Sequence, residues 1–279
     1  MRIDVMKTYK LFINGSFPRS ESGRVYEITD SKGKFLANPC LGSRKDLRES
    51  VVAARSAHPG WSSATAFNRG QVLYRVAEIM QGRADQFVAE IIAQEGATPA
   101  SAKTQVQSAI DTWVWYAGWC DKIEAISGSS NQVSGPFYNF SIPESLGVVA
   151  IFADGKPSLL NLVASLAPVI AAGNTAILIA NEKSPLCAIT LAECLATSDV
   201  PGGVVNILTG KFDQFVTWAG SHMDIDGIDA TGVSNKDLIE LKELGSENLK
   251  RIHTFSELQS TKRMTDFMEI KTIWHPIGI

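Results

Sequence analysis

The sequence predicts an α/β fold: a doubly wound parallel sheet that follows several N-terminal helices and carries a small β-arm. Between residues 147 and 255, short apolar runs alternate with helical stretches, an order that requires crossover connections and hence parallel strands. The runs are apolar throughout, as expected of strands buried on both faces. Two further segments, Ile126–Ile142 and Phe267–Trp274, contain alternating apolar and polar residues, which is typical of strands with one exposed face.

Three helices are predicted in the N-terminal part of the chain. Apolar residues recur at helical spacing over Asp46–His58 and over the longer stretch Arg69–Ala93. A third helix is predicted from about Pro99 to Ile123, and its tryptophans favour packing over a binding platform. In the segment Ile126–Ile142, turn residues precede the alternation, so we expect a hairpin there.

Five strands are predicted after Pro143. In chain order they are Gly147–Phe152, Thr175–Ile179, Val204–Leu208, Ile225–Ile228 and Leu249–Phe255. Helical stretches separate them, so they are expected to form one parallel sheet. The segment Phe267–Trp274 is predicted as a further strand, and no helical pattern follows it.

Composition narrows the range of partners. The 279 residues carry a net charge of −3 and their cationic residues are scattered, so neither nucleic acid nor a membrane surface is expected as a partner. No apolar run reaches membrane length and no signal-peptide pattern is present.

The four cysteines show neither zinc spacing nor a disulfide framework, which favours a cytoplasmic protein with packing thiols. The four histidines are scattered, and no metal site is predicted.

Seven motifs stand in a characteristic order along the chain. They are Tyr9–Gly15, Gly147–Val149, Ala167–Thr175, Pro201–Gly210, Thr231–Gly232, Asn248–Ile252 and Glu269–Trp274. Each is weak alone, but the ordered set resembles the aldehyde dehydrogenase family over essentially the whole chain, with one large deletion near residues 256–263. The chain is most similar to the second, truncated module of family 16 aldehyde dehydrogenases.

The resemblance implies a division of the chain into two units. Residues 1–125 together with 144–258 would form a Rossmann-like domain of the kind that binds NAD. Residues 126–143 together with 264–279 would form the β-arm through which members of the family oligomerise. The catalytic domain of the family is expected to be absent, because the deletion removes the stretch that supplies it.

The catalytic groups implied by the resemblance are missing. The family requires a cysteine nucleophile, a carboxylate base and a donor to the oxyanion. No cysteine follows Gly232, Phe255 falls at the position of the glutamate base, and Lys156 falls at that of the oxyanion asparagine. A phenyl ring cannot accept a proton, so no catalytic residue is predicted.

Three cofactor positions of the family are retained: Glu182, Gly210 and Gly232. These are the candidate cofactor-binding residues for NAD. The alternative interpretation, which we favour, is that they are turn and cap residues kept for the fold. A chain without a cofactor is therefore expected, with NAD as the weaker possibility.

Other cofactor positions have changed. Ile179 replaces a lysine that reaches the adenosine ribose, and Phe212 replaces the second glycine of a G-x-G turn. Val233 and Asp237 replace a serine and a glycine in the loop that opens a helix toward the pyrophosphate. Asp237 supplies a carboxylate at that end, which is able to cap the helix itself and would repel a phosphate.

Three functions remain open. The first is a non-catalytic subunit that docks through its β-arm onto a full-length NAD-dependent aldehyde dehydrogenase by strand addition. Two copies of the chain cannot pair in the family's way, because neither offers the acceptor sheet. The second is a regulatory module that binds NAD(H). The third is aldehyde oxidoreductase activity completed in trans by a partner chain that carries the cysteine.

Overall fold

The computed structural model describes residues 7–278. Its N-terminal region begins with a small hairpin that the sequence did not predict, followed by five helices. Their bounds are β1 Ile28–Thr29, β2 Phe35–Ala37, α1 Arg44–Ser63, α2 Ala66–Gly82, α3 Ala84–Glu95, α4 Pro99–Trp119 and α5 Ile123–Ser127. Within residues 7–278 no helix has the length and apolar character needed to cross a lipid bilayer.

Two of the predicted helices differ in the structure. The stretch Arg69–Ala93 is divided into α2 and α3 because Arg83 leaves helical geometry, with φ −112° and ψ 14°. Helix α1 extends beyond His58 and contains Pro59. Its last turn is held by Trp61, which is buried and donates a hydrogen bond to the carbonyl of Ile170 at 2.9 Å.

Strands and helices alternate in the remainder of the chain. Their bounds are β3 Ser129–Asn131, β4 Phe137–Ser145, β5 Val148–Phe152, α6 Ser158–Ala171, β6 Thr175–Ile179, α7 Leu186–Leu195, β7 Val205–Leu208, α8 Val216–Ser221, β8 Gly227–Asp229, α9 Asn235–Gly245, β9 Arg251–His253, α10 Lys262–Thr265 and β10 Met268–Pro276.

The main sheet has five parallel strands in the order β7-β6-β5-β8-β9, which confirms the predicted fold class. Every residue of β5, β6 and β7 is buried, as the uniformly apolar runs require. The Tyr9–Gly15 motif contributes a single bridge at the β7 edge, where Phe12 and Ile207 exchange hydrogen bonds of 2.9 and 2.7 Å.

Helices cover both faces of this sheet. Alternate residues of β5 point to opposite sides: Val149 and Ile151 belong to an apolar cluster that includes buried residues of α2, α3, α4, α6 and α7. Val148, Ala150 and Phe152 belong to a second cluster that includes buried residues of α1, α8 and α9. The order of the strands reverses between β5 and β8, so a ligand crevice is expected at the carboxyl ends of these two strands.

A separate antiparallel sheet forms the β-arm, with strand order β10-β4-β3. Strand β4 pairs with β10 along its whole length, from Ser145 opposite Met268 to Phe137 opposite Pro276. It pairs with β3 over only three positions, in the hairpin that the sequence predicts. The fourteen residues 254–267, which include α10, connect the main sheet to the arm.

Candidate functional site

The candidate site is the crevice between the loops that follow β5 and β8. Gly232 lies in the second loop and donates a hydrogen bond to the carbonyl of Phe152 at 2.9 Å. A Cβ at Gly232 would lie 2.5 Å from both the carbonyl carbon and the oxygen of Ala153, and 2.7 Å from the amide nitrogen of Asp154. The two loops therefore touch through their backbones at Gly232, and no side chain could be accommodated at this position.

The helix α9, which begins beyond Gly232, is capped by one of its own flanking residues. Ser234 is its N-cap, because the Ser234 hydroxyl accepts a hydrogen bond from the amide of Asp237 at 3.2 Å. The N-cap is thus Ser234, and Asp237 lies in the first turn of α9. The Asp237 carboxylate accepts a hydrogen bond of 2.8 Å from the Ser234 hydroxyl and places a negative charge where a phosphate would bind.

The N-terminus of α6 is also occupied by protein groups. The amide of Ser158 donates to Glu95 at 2.9 Å, and the amide of Leu159 donates to Gln105 at 2.9 Å. Lys156, which falls at the oxyanion position, donates to the backbone carbonyl of Glu95 at 2.7 Å. The amides that would attract an anion are thus bonded to side chains of α3 and α4.

The turn after β7 is filled by aromatic rings. Gly210 has φ +149°, and a Cβ there would lie 3.1 Å from the ring of Phe215. The ring of Phe212 packs edge-on against Phe152 at a centroid distance of 5.2 Å. Phe212 therefore covers the carboxyl end of β5, where a dinucleotide would need close access to the backbone.

Glu182 lies in a different part of the structure from Gly210 and Gly232. It lines an open cleft of about 290 Å³ together with Tyr26, Lys183, Lys211 and residues of β1. The Tyr26 hydroxyl is buried and has no hydrogen-bond partner among residues 7–278. Its pKa is raised, mainly by burial and then by the charge of Glu182. The structure does not bring Glu182, Gly210 and Gly232 together in one pocket.

The segment 254–267 contributes a buried ion pair that the sequence analysis missed. Arg263 lies 3.8 Å from Asp229 at the end of β8, and the two residues are 3% and 1% exposed. Burial raises the pKa of Asp229, although Arg263 acts in the opposite direction. The guanidinium of Arg263 also lies 4.7 Å from the ring centroid of Phe255. No sequence motif marks this pair, because its members are 34 positions apart.

Phe255 therefore serves a packing role at the glutamate position. Its ring contacts Arg263 and lies 6.0 Å from the ring of Phe267, and its amide donates to the Thr231 hydroxyl at 3.1 Å. Nothing at this position can accept a proton from water.

The four cysteines are all buried. Burial raises the pKa of Cys120 and of Cys194 to about 12 and raises that of Cys187 well above its usual value. A nucleophilic cysteine needs an accessible thiolate, and none of these provides one. Within residues 7–278, no group of three metal-ligating side chains comes together.

These contacts do not fit the pyrophosphate of a dinucleotide. The loops after β5 and β8 touch at Gly232, and the first amides of α6 donate to Glu95 and Gln105. At the N-terminus of α9, the Ser234 hydroxyl accepts from the Asp237 amide and donates to the Asp237 carboxylate. The open cleft beside Glu182 lies at the ends of β6 and β7, apart from the crevice between the loops after β5 and β8.

Comparisons with known proteins place the chain among relatives of known type. Residues 17–257 match the model of the aldehyde dehydrogenase family. The mitochondrial 10-formyltetrahydrofolate dehydrogenase of Mus musculus is 31% identical over 250 residues, which cover 88% of this chain and 27% of that protein. An aldehyde dehydrogenase of Emericella nidulans is 29% identical over 244 residues, which cover 87% of this chain and 48% of that protein.

Solved structures show the same fold. PnpE from Pseudomonas sp. WBC-3 superposes with a TM-score of 0.85 at 26% identity, over 89% of this chain and 50% of that one. PnpE has also been solved in complex with nicotinamide adenine dinucleotide, with the same TM-score. The chain thus spans about half the length of these structures and between a quarter and a half of the two curated relatives.

Proposed function

The chain belongs to the aldehyde dehydrogenase family, and from this premise we propose that it is a non-catalytic subunit that docks through its β-arm onto a full-length NAD-dependent aldehyde dehydrogenase. The observation that carries the proposal is a complete β-arm beside a sheet whose carboxyl end is filled by packing contacts. Its role would be structural, as part of an oligomer with an active relative.

The arm has the properties of a strand donor. Strand β10 lies at the edge of the arm, and Ile270 and Trp274 on it are each 57% exposed. On β4, Phe137 and Tyr138 are exposed as well. A small sheet with aromatic residues in water is marginally stable and prone to association unless a partner covers it. Addition of β10 to a partner's sheet would cover it.

The packing contacts at the carboxyl end of the parallel sheet argue against catalysis by this chain. Phe255 and Lys156 stand where the family has its base and its oxyanion donor, and each makes a structural contact instead. The fourteen residues between β9 and β10 are too few to form a further domain. We therefore expect the purified chain to oxidise no aldehyde at a measurable rate.

Native mass spectrometry of the tagged chain, purified from its own cells, tests the proposal. The expected result is a stoichiometric complex with a full-length aldehyde dehydrogenase subunit. The matched control is Trp274→Asp, which places a charge on the docking strand without altering the main sheet, and which should lose the partner. Recovery of the chain without such a subunit, or normal aldehyde oxidation by the chain alone, would contradict the proposal.

A nucleotide-binding regulatory module is the second candidate, favoured by the cleft beside Glu182. The cleft combines the carboxylate of Glu182 with Lys183 and Lys211, groups that suit a ribose hydroxyl and a phosphate. Calorimetry with NAD and NADH, using Glu182→Gln as the control, decides between the candidates. If titration with NAD or NADH at millimolar concentration releases no heat, the nucleotide-binding function is refuted. If the wild type shows saturable binding and Glu182→Gln lowers its affinity, that function is supported.

A further inference from the structure

Strand β10 has an open edge with a defined orientation. The carbonyl of Phe267 accepts a hydrogen bond from Leu146, and the amide of Ile277 donates to Pro136. Odd-numbered residues of this segment therefore direct their main-chain groups toward β4, and even-numbered residues direct theirs outward. Among residues 7–278 no strand pairs with that outer side. The outward residues are Met268, Ile270, Thr272, Trp274 and Pro276.

The outer edge is self-complementary about Thr272. A second β10 running antiparallel, with the two-fold axis at Thr272, would place Ile270 opposite Trp274, and each such pair exchanges both main-chain hydrogen bonds. At the ends, Met268 would face Pro276, which has no amide hydrogen. The carbonyl of Met268 does not need that donor, because it already accepts a hydrogen bond from Arg251.

The side chains match in the same register. On one face, the exposed Ile270 of one copy would lie beside the exposed Trp274 of the other, and Phe137 supports each indole at a ring distance of 5.7 Å. On the opposite face, Glu269 would face His275 and Lys271 would face Ile273. No two like charges stand opposite each other, which directly paired strands require.

We propose that the chain forms a two-fold homodimer in which two β10 strands pair edge to edge and create one six-stranded antiparallel sheet. The dimer goes beyond the proposed function because it needs no aldehyde dehydrogenase partner. It covers the edge that a partner would use, so the homodimer and the docked subunit exclude each other, and dimerisation competes with docking by mass action.

Sedimentation velocity of the purified chain over a concentration series tests the dimer. Thr272→Pro removes the outward amide at the axis while its ring faces away from β4, and should raise the dissociation constant about 30-fold, as expected for two lost hydrogen bonds. Thr272→Val keeps the amide and should dimerise like the wild type. A wild-type chain that stays monomeric at high micromolar concentration, or a dimer indifferent to Thr272→Pro, overturns the proposal.

A charge-pairing experiment separates this interface from any other. Thr272→Lys and Thr272→Glu each place like charges across the two-fold axis and should each weaken the homodimer about fivefold. A mixture of the two variants should form heterodimers in preference to either homodimer, as measured by native mass spectrometry. A statistical mixture of dimers would show that Thr272 does not meet its copy. Failure to find an aldehyde dehydrogenase partner leaves both measurements unaffected.

Discussion

The backbone contact between the loops after β5 and β8 leads to the sharpest prediction, the cost of Gly232→Ala in the free energy of unfolding. Its Cβ would stand 2.5–2.7 Å from three backbone atoms of residues 153–154, and backbone cannot rotate away as a flexible side chain does. Gly232 is not among the glycines with positive φ, so the cost comes from the contact alone. Overpacking of this kind costs about 1–3 kcal/mol, and we expect a value near 3 kcal/mol because all three neighbours are backbone atoms.

Urea unfolding followed by circular dichroism measures this cost, which corresponds to a midpoint lowered by about 1 M. The matched control is Gly118→Ala in α4, where a Cβ meets nothing within 4 Å. That variant should gain up to about 1 kcal/mol from helix propensity. A loss below about 0.5 kcal/mol for Gly232→Ala would refute the reasoning, because the two loops would then stand apart.

Buried groups elsewhere in the chain lead to three further predictions. Arg263→Met leaves Asp229 buried without its cation, so we expect a loss of about 3–5 kcal/mol in urea unfolding, and adding Asp229→Asn should recover most of it. His58 has a lowered pKa because it is half-buried and near Arg55. The unfolded chain therefore binds more protons between that pKa and 6.5, so stability is lost as the pH falls below 6.5, and His58→Gln should flatten the melting profile. The buried cysteines should react with a thiol reagent only after urea unfolds the chain.

Each of these three predictions would be refuted by a specific result. A double variant no more stable than Arg263→Met would show that Asp229 is not the partner that makes the loss large. A His58→Gln profile parallel to that of the wild type would place the acid sensitivity elsewhere. Stoichiometric labelling of one thiol within minutes under native conditions would show that a cysteine is accessible.

The sequence was sufficient for the parallel sheet because burial on both faces leaves a local signal. The apolar runs of β5, β6 and β7 need no partner to be recognised. The break between α2 and α3 at Arg83 was missed because apolar periodicity continues across it, although Gly82, the last residue of α2, marks the position. The hairpin of β1 and β2 was missed because strands of two and three residues carry too little pattern.

The sequence by itself determined which groups are present: no cysteine after Gly232, Phe255 in place of a base, and an alternating segment at Phe267–Trp274. Only the tertiary structure decided which contacts these and other residues make. Gly232 meets Ala153, and Arg263 meets Asp229, only because distant segments pack together. The outer edge of β10 is likewise a property of pairing, since hydrogen bonds to β4 decide which residues face outward.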